Sequence, residues 1–242
     1  MAERTGTVTL SGRMRMLADM VTPGSCVADV GCDHAFISIY LVQTGKCPRC
    51  LAMDVRKGPL SGAAEHIASR GLEEYIETRL SDGLAAYRAG EAQTLICAGM
   101  GGRLMEKILR EGGGKSRSFR ELILQPQSEI PEFRAFLRNA GFLVTEEEAL
   151  REEGKFYFAM KAIYAGGELP VENELYDLYG KQLLLGNHPV LREYLLKRRQ
   201  AVEDLACRLS REDSGRSRAR QRELARERES LERALALYEK GR

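Results

Sequence analysis

The amino-acid sequence predicts an α/β protein: an open, mostly parallel sheet followed by an antiparallel pair of C-terminal helices. Two patterns predict the sheet. Short apolar runs alternate with helical patterns between residues 26 and 141, the rhythm of βα units. Several of those runs end in Asp or Gly, residue types that suit the ligand crevice at the carboxyl ends of parallel strands. A third pattern predicts the helices. Beyond Gly166-Gly167, leucines recur near seven-residue spacing in an arginine-rich background. The expected domains are therefore 1–165 and 166–242.

The chain has 242 residues, enough for one core and an appendage, and its 43% hydrophobic and 30% charged residues fit a globular protein. Net charge is +2, but residues 191–242 hold 15 Lys/Arg against 10 Asp/Glu, so the remainder is slightly acidic. A basic appendage suggests a polyanion partner; a solvated helical face of mixed charge is the plainer account. No run of about 18 apolar residues exists, and residues 1–10 lack an apolar signal core. No membrane span is expected, and the expected location is cytoplasmic. Among six cysteines, Cys26 and Cys97 fall in strand-like runs, where a thiol behaves as a small hydrophobe. Cys47 and Cys50 form a CxxC with no second ligand pair, and His34, His66 and His188 show no ligand spacing, so no metal is expected.

In chain order, residues 10–20 read as a short helix, with Leu10, Met14, Leu17 and Val21 on one face and Ser11 as its cap. Arg13 on this helix either faces solvent or reaches an anion with its forked donors. After the Pro23-Gly24 turn, Val27, Ala28 and Val30 form an apolar strand that runs into Gly31. There the chain must turn sharply or lie against a ligand. Asp29 and Asp33 set two carboxylates at that turn, and a helix over 35–43 follows. Residues 51–55 are the second strand. Asp54 lies about one βαβ unit past Gly31, where an acid commonly accepts from ribose hydroxyls. The alternative, a helix cap, is disfavoured because Lys57-Gly58-Pro59 separates it from a helix over 60–69. Residues 75–80 are the third strand, ending at Ser81-Asp82-Gly83. Asp82 either accepts from an adenine amino group or makes an Asp-Gly turn.

A short helix is expected over 84–89. Residues 94–98 are the fourth strand, running into Gly99-Met100-Gly101-Gly102 and a helix over 103–110; bare main chain there permits close approach to a flat ligand. Gly112-Gly113-Gly114 opens a surface loop. Residues 122–124 are the fifth strand, ending in Gln125-Pro126-Gln127, and 131–140 a helix closed by Gly141. Residues 142–144 and 156–164 are a final antiparallel pair, with the acidic stretch 146–153 as their hairpin loop and strand ends. In the tail, Leu191, Leu195, Val202, Leu205 and Leu209 make one stripe, with Arg198 at a seam position. Leu224, Leu231, Leu235 and Tyr238 make another, and polar residues 211–217 join the two helices.

Five βα-type units and an antiparallel pair suggest the sheet of a Rossmann-like methyltransferase. Asp29 with Gly31, Asp54, Asp82 with Gly83, and Ala98-Gly99-Met100-Gly101 then form a row of strand ends. Such a row offers room for a methionine and acceptors for a ribose and an adenine, as S-adenosyl-L-methionine requires. A nicotinamide enzyme would prefer a longer glycine turn and would not need Asp82.

At these residues the sequence resembles the TrmK family of bacterial tRNA methyltransferases. The pieces are Leu10-Ser11 with Arg13, Asp29-Val30-Gly31-Cys32-Asp33-His34-Ala35-Phe36, Ser81-Asp82-Gly83-Leu84, Ala98-Gly99-Met100-Gly101-Gly102 and Leu122-Ile123-Leu124-Gln125-Pro126. The resemblance covers nearly the whole chain. It departs at Cys32, Phe36, Ser38 and Gln127, where Ser or Thr, Tyr, Pro and Asn are the familiar residues. It implies a class I methyltransferase sheet with a coiled-coil-like helical hairpin. It also implies methyl transfer from S-adenosyl-L-methionine to N1 of the adenine at position 22 of tRNA. In that chemistry Asp33 is expected to stabilise charge on the product base, His34 to orient cofactor or base, and Arg13 to close the site or touch tRNA. The expected partner is tRNA, without membrane or metal, and the expected state is a monomer. Competing readings are a NAD-dependent oxidoreductase, a noncatalytic tRNA-binding protein with a vestigial pocket, and a small-molecule methyltransferase.

Overall fold

The computed structural model describes residues 6–210 and 215–240. The chain divides into two compact units, Met1–Pro170 and Val171–Arg242.

Among the described residues seven strands build the first unit: β1 (Val27–Val30), β2 (Cys50–Asp54), β3 (Ile76–Leu80), β4 (Thr94–Met100), β5 (Glu121–Pro126), β6 (Phe142–Glu152) and β7 (Lys155–Tyr164). They lie in the order β3-β2-β1-β4-β5-β7-β6. β1 to β5 are parallel, and β7 runs antiparallel between β5 and β6. Six helices accompany them: α1 (Gly12–Met20), α2 (Phe36–Gln43), α3 (Lys57–Ala68), α4 (Gly102–Gly112), α5 (Gly114–Arg117) and α6 (Ile130–Asn139). The period of two along each strand divides its side chains between two cores. Ala28, Met53, Leu95 and Leu122 meet Met105 and Leu109 of α4 and Phe133 and Leu137 of α6. Val27, Ala52, Ile96 and Ile123 meet Leu17 of α1, Ile39 and Leu41 of α2 and Ile67 of α3. Both faces are covered, which is why these strands read as unbroken apolar runs. The order reverses between β1 and β4, and a crevice opens there at the strands' carboxyl ends.

The structure differs from the sequence pattern at four places. α3 starts at Lys57, not near residue 60, with Pro59 inside its first turn, where the missing N–H would have had no helical partner. Residues 84–89 form turns, not a helix. Ser81 Oγ accepts from the Ala86 N–H at 3.0 Å and donates to the Gly83 carbonyl at 2.8 Å, replacing helical pairing. The stretch after Gly113 forms the short helix α5, and Lys115 Nζ ties it to the Leu84 and Ala85 carbonyls at 3.0 and 2.8 Å. The acidic stretch 146–152 is strand, not loop. A register shift between Val144 and Glu146 turns Glu147 inward onto Arg134 of α6 at 2.8 Å, while Glu146 and Glu148 face outward. The hairpin closes in the two-residue turn Glu153-Gly154, both with positive φ.

The second unit contains α7 (Glu174–Tyr179), α8 (Lys181–Leu185), α9 (Pro189–Leu209) and α10 (Gly215–Lys240). α9 and α10 form an antiparallel hairpin. Ser217 Oγ and Gln221 Nε2 donate to the Leu209 carbonyl at one end, Arg198 meets Glu227 midway, and Tyr238 OH donates to the His188 carbonyl at the other. Leu191, Leu195, Val202, Leu224 and Leu231 are buried in its seam. Of the expected connection over 211–217, residues 211–214 lie outside the described residues. Among the described residues no helix is long and apolar enough to cross a membrane.

Candidate active site

A cavity of about 630 Å³ sits over the carboxyl ends of β1 to β4. Its floor is the turn from β1 to α2. The N–H groups of Gly31 and Cys32 both donate to the Met53 carbonyl, at 2.8 and 3.0 Å, which locks the turn to β2. Gly31 has φ 75°, and a Cβ there would lie 2.2 Å from Met100 Cε. Glycine is therefore needed both for the backbone and for the methionine that crosses it. Asp33 and Ala35 follow in the left-handed region at φ 50° and 57°. Non-glycine residues there cost about 1 kcal/mol or more each. The Ala35 N–H to Cys32 carbonyl bond at 2.8 Å and the Asp33 N–H to Asp54 Oδ2 bond at 3.4 Å hold them.

Acids then mark successive strand ends. Asp29 is buried on β1, accepts from Ser38 Oγ at 2.9 Å, and is pushed up to about 6 by that burial. Ser38, one of the departures from the family pattern, is thus the partner of a cavity acid. Asp54 is buried at the end of β2. Its Oδ1 accepts from the Arg56 N–H at 2.8 Å, leaving each carboxylate oxygen further acceptor capacity. Asp82 is exposed after β3, beside Gly83, where a side chain would press on Ile108. All four acids, Asp29, Asp33, Asp54 and Asp82, line the cavity. His34 also lines it. Its Nε2 lies 3.9 Å from Asp33 Oδ1, and its ring stands 5.4 Å from His66 and 5.8 Å from Phe36.

The opposite wall comes from β4. The strand bulges between Ala98 and Met100, with Gly99 at φ 78°, and all three residues line the cavity. Gly101, expected beside them, does not line it: it is the N-cap of α4, and a Cβ there would meet Ser128 Oγ at 2.9 Å. Arg13 enters from α1. Its Nη1 donates to Gln125 Oε1 at 3.0 Å, and its guanidinium lies 5.7 Å from the Tyr157 ring centre. Glu152, at the end of β6, grips the start of α1 by accepting from the Gly12 N–H at 2.6 Å and the Arg13 N–H at 3.3 Å. The guanidinium has no carboxylate partner among the described residues. Sequence reasoning missed Gln125, Glu152 and Tyr157 as supports of Arg13, and Val55, Leu104 and Gln127 as wall residues. No group of metal-ligating residues occurs among the described residues.

The doubly wound sheet is Rossmann-like, and residues 10–160 match the family model described as a methyltransferase domain, which makes the first unit a Rossmann-like methyltransferase domain. The tRNA (adenine(22)-N(1))-methyltransferase of Bacillus subtilis (strain 168) is 34% identical over 153 residues, 63% of this chain and 64% of that protein. The crystal structure of a Streptococcus pneumoniae protein described as a candidate tRNA (m1A22) methyltransferase has 31% identity and a TM-score of 0.85, covering 94% of this chain and 100% of that one. It has also been solved with S-adenosyl-L-methionine bound. The crystal structure of the Bacillus subtilis m1A22 tRNA methyltransferase TrmK has 28% identity and a TM-score of 0.82, covering 94% of this chain and 99% of that one. The chain belongs to the TrmK family.

Proposed function

We propose that this protein transfers a methyl group from S-adenosyl-L-methionine to N1 of adenine 22 in tRNA. The observation that carries the reading is the cavity itself, in which a glycine floor and three strand-end acids, Asp29, Asp54 and Asp82, share one space. The fit to the cofactor rests on that chemistry. Gly31 lets Met100 cross the floor where a Cβ would collide with it, Gly99 leaves main chain exposed on the β4 bulge, and Asp54 is a buried carboxylate with acceptor capacity left. In this reading Asp54 holds the ribose hydroxyls and Asp82 the adenine amino group. Asp29, Gly31, Gly83, Ala98, Gly99 and Met100 enclose the rest. When bound, the cofactor supplies an electrophilic methyl group on a sulfonium centre.

Adenine N1 is a neutral nucleophile, so the protein has to position it, not deprotonate it. The base gains positive charge as it is methylated. Asp33, exposed at the cavity mouth, stabilises that charge, and His34 beside it orients the base. Arg13 closes on an anion of cofactor or tRNA. The adenine must be unpaired or flipped to reach the site. The helical hairpin of the second unit, with its excess of basic residues, contacts the tRNA backbone as a short coiled coil and makes binding salt-dependent. The protein works in the cytoplasm as a monomer.

Labelled methyl transfer to unmodified tRNA tests the reading, with Asp33→Ala as control and calorimetry against S-adenosyl-L-methionine and NAD alongside. Binding of the methyl donor, no binding of NAD and label in tRNA are expected. Tight tRNA binding with no label transferred would favour a noncatalytic binding protein.

A further inference from the structure

Cys47 and Cys50 take no part in the cavity. They flank the entry of β2, at the opposite end of that strand from Asp54. Both are buried, and their sulfurs stand 3.3 Å apart. Cys50 is fixed, paired through β2 with Val27 of β1 and Ile76 of β3. Cys47 lies in the turn from α2, whose neighbours Thr44, Gly45, Pro48 and Arg49 are exposed. The hydrogen bond between the thiols holds Cys47 below the ordinary thiol range and pushes Cys50 well above it. That asymmetry fits one thiol that attacks and one that resolves. Among the described residues no third ligand joins them, which leaves a dithiol and not a metal site.

We propose that Cys47 and Cys50 form a redox site that closes reversibly to an intramolecular disulfide when the protein meets a peroxide. The Cys47 thiolate attacks hydrogen peroxide, breaking the O–O bond. It becomes a sulfenic acid, and hydroxide leaves. The Cys50 sulfur then attacks the Cys47 sulfur, the S–S bond forms, and the hydroxyl departs as water with the Cys50 proton. Two electrons pass from the sulfur pair to one peroxide, and a thiol reductant restores both thiols. Closure moves Cys47 in its turn, because Cys50 is held between two strands.

Trypsin cuts after Lys46, Arg49 and Arg56, so Cys47 and Cys50 leave on different peptides, 47–49 and 50–56, unless a disulfide joins them. Folded full-length protein is treated with one equivalent of hydrogen peroxide, its free thiols are blocked with N-ethylmaleimide, and it is digested without reductant. The joined pair is expected to become the dominant form of both peptides, about 2 Da lighter than the sum of its free thiols, and to vanish with dithiothreitol. In Cys50→Ser, shown folded by circular dichroism, Cys47 is expected to stop at a sulfenic acid that dimedone traps. Recovery of both wild-type peptides as maleimide adducts, or trapping of Cys47 as sulfenic acid in the wild type without any joined pair, would overturn the proposal.

Discussion

Replacing Gly31 with alanine separates the cavity floor from ordinary turn geometry. At φ 75° an alanine is strained by about 1–2 kcal/mol. Its Cβ would also lie 2.2 Å from Met100 Cε, the far end of a flexible side chain, so Met100 gives way and not β2. Forcing that side chain off its rotamer adds about 1 kcal/mol. Together these cost at least about 2 kcal/mol of stability, or a drop of at least about 4–8 °C in Tm for a chain of this size. The displaced methionine lines the cavity, so a similar penalty on binding raises the Kd for S-adenosyl-L-methionine about 30-fold. Gly24 provides the control. It has φ 83° with no atom of the described residues within 4 Å of its Cβ position, so Gly24→Ala has the strain without the collision. Urea unfolding and calorimetric titration of both variants decide. Both should lose stability, and only Gly31→Ala should lose affinity. Wild-type affinity in Gly31→Ala, or equal losses of affinity in both, would refute the reasoning.

Asp29 makes stability depend on pH. Its carboxyl is raised to about 6 by burial, so its favourable contribution is complete below about pH 4 and is lost as pH rises through 6. Asp29→Asn should therefore gain about 2–3 kcal/mol on the wild type between about pH 4 and pH 8 in urea unfolding, and an equal difference at both pH values would contradict this. Asp54→Asn should weaken S-adenosyl-L-methionine binding by about 1.5–3 kcal/mol, the worth of a hydrogen bond to a charged group. A donor analogue lacking the ribose hydroxyls should lose nothing further in that variant; additional loss would place the hydroxyls elsewhere. Glu152→Ala frees the start of α1, costs about 1 kcal/mol of capping, and should slow methyl transfer about tenfold by displacing Arg13. Glu152→Gln, which keeps an acceptor, should recover part of the rate, and an unimpaired Glu152→Ala would remove the tether from the account.

The elements legible in the sequence are those whose burial leaves an unbroken local pattern. β1, β2, β4 and β5 are buried on both faces, so their apolar runs are unambiguous. The position of Gly31 and Asp54 at the cavity was legible because strand ends are where a parallel sheet presents its crevice. Glu147 was not, because its partner Arg134 is brought to it only by the packing of α6 on β6. With that pair invisible, an acidic stretch resembles a loop. Glu152 and Tyr157 meet Arg13 through the register of the edge hairpin, and Gln125 meets it from β5, contacts that no local pattern specifies. The packing role of Gly101 and Gly102 was not legible either. A Cβ on Gly102 would lie 2.7 Å from the Ser128 carbonyl and one on Gly101 2.9 Å from Ser128 Oγ, so both glycines allow close packing of α4, a need that a glycine run in the sequence does not announce.

In the proposed function this cavity delivers a methyl group to one ring nitrogen of one tRNA base. Mass-spectrometric mapping of unmodified tRNA after incubation with the protein and S-adenosyl-L-methionine tests it most directly. 1-Methyladenosine is expected at position 22, and none when the donor is omitted. An unmodified position 22, or a methyl group on the exocyclic nitrogen or on another nucleotide, would contradict it.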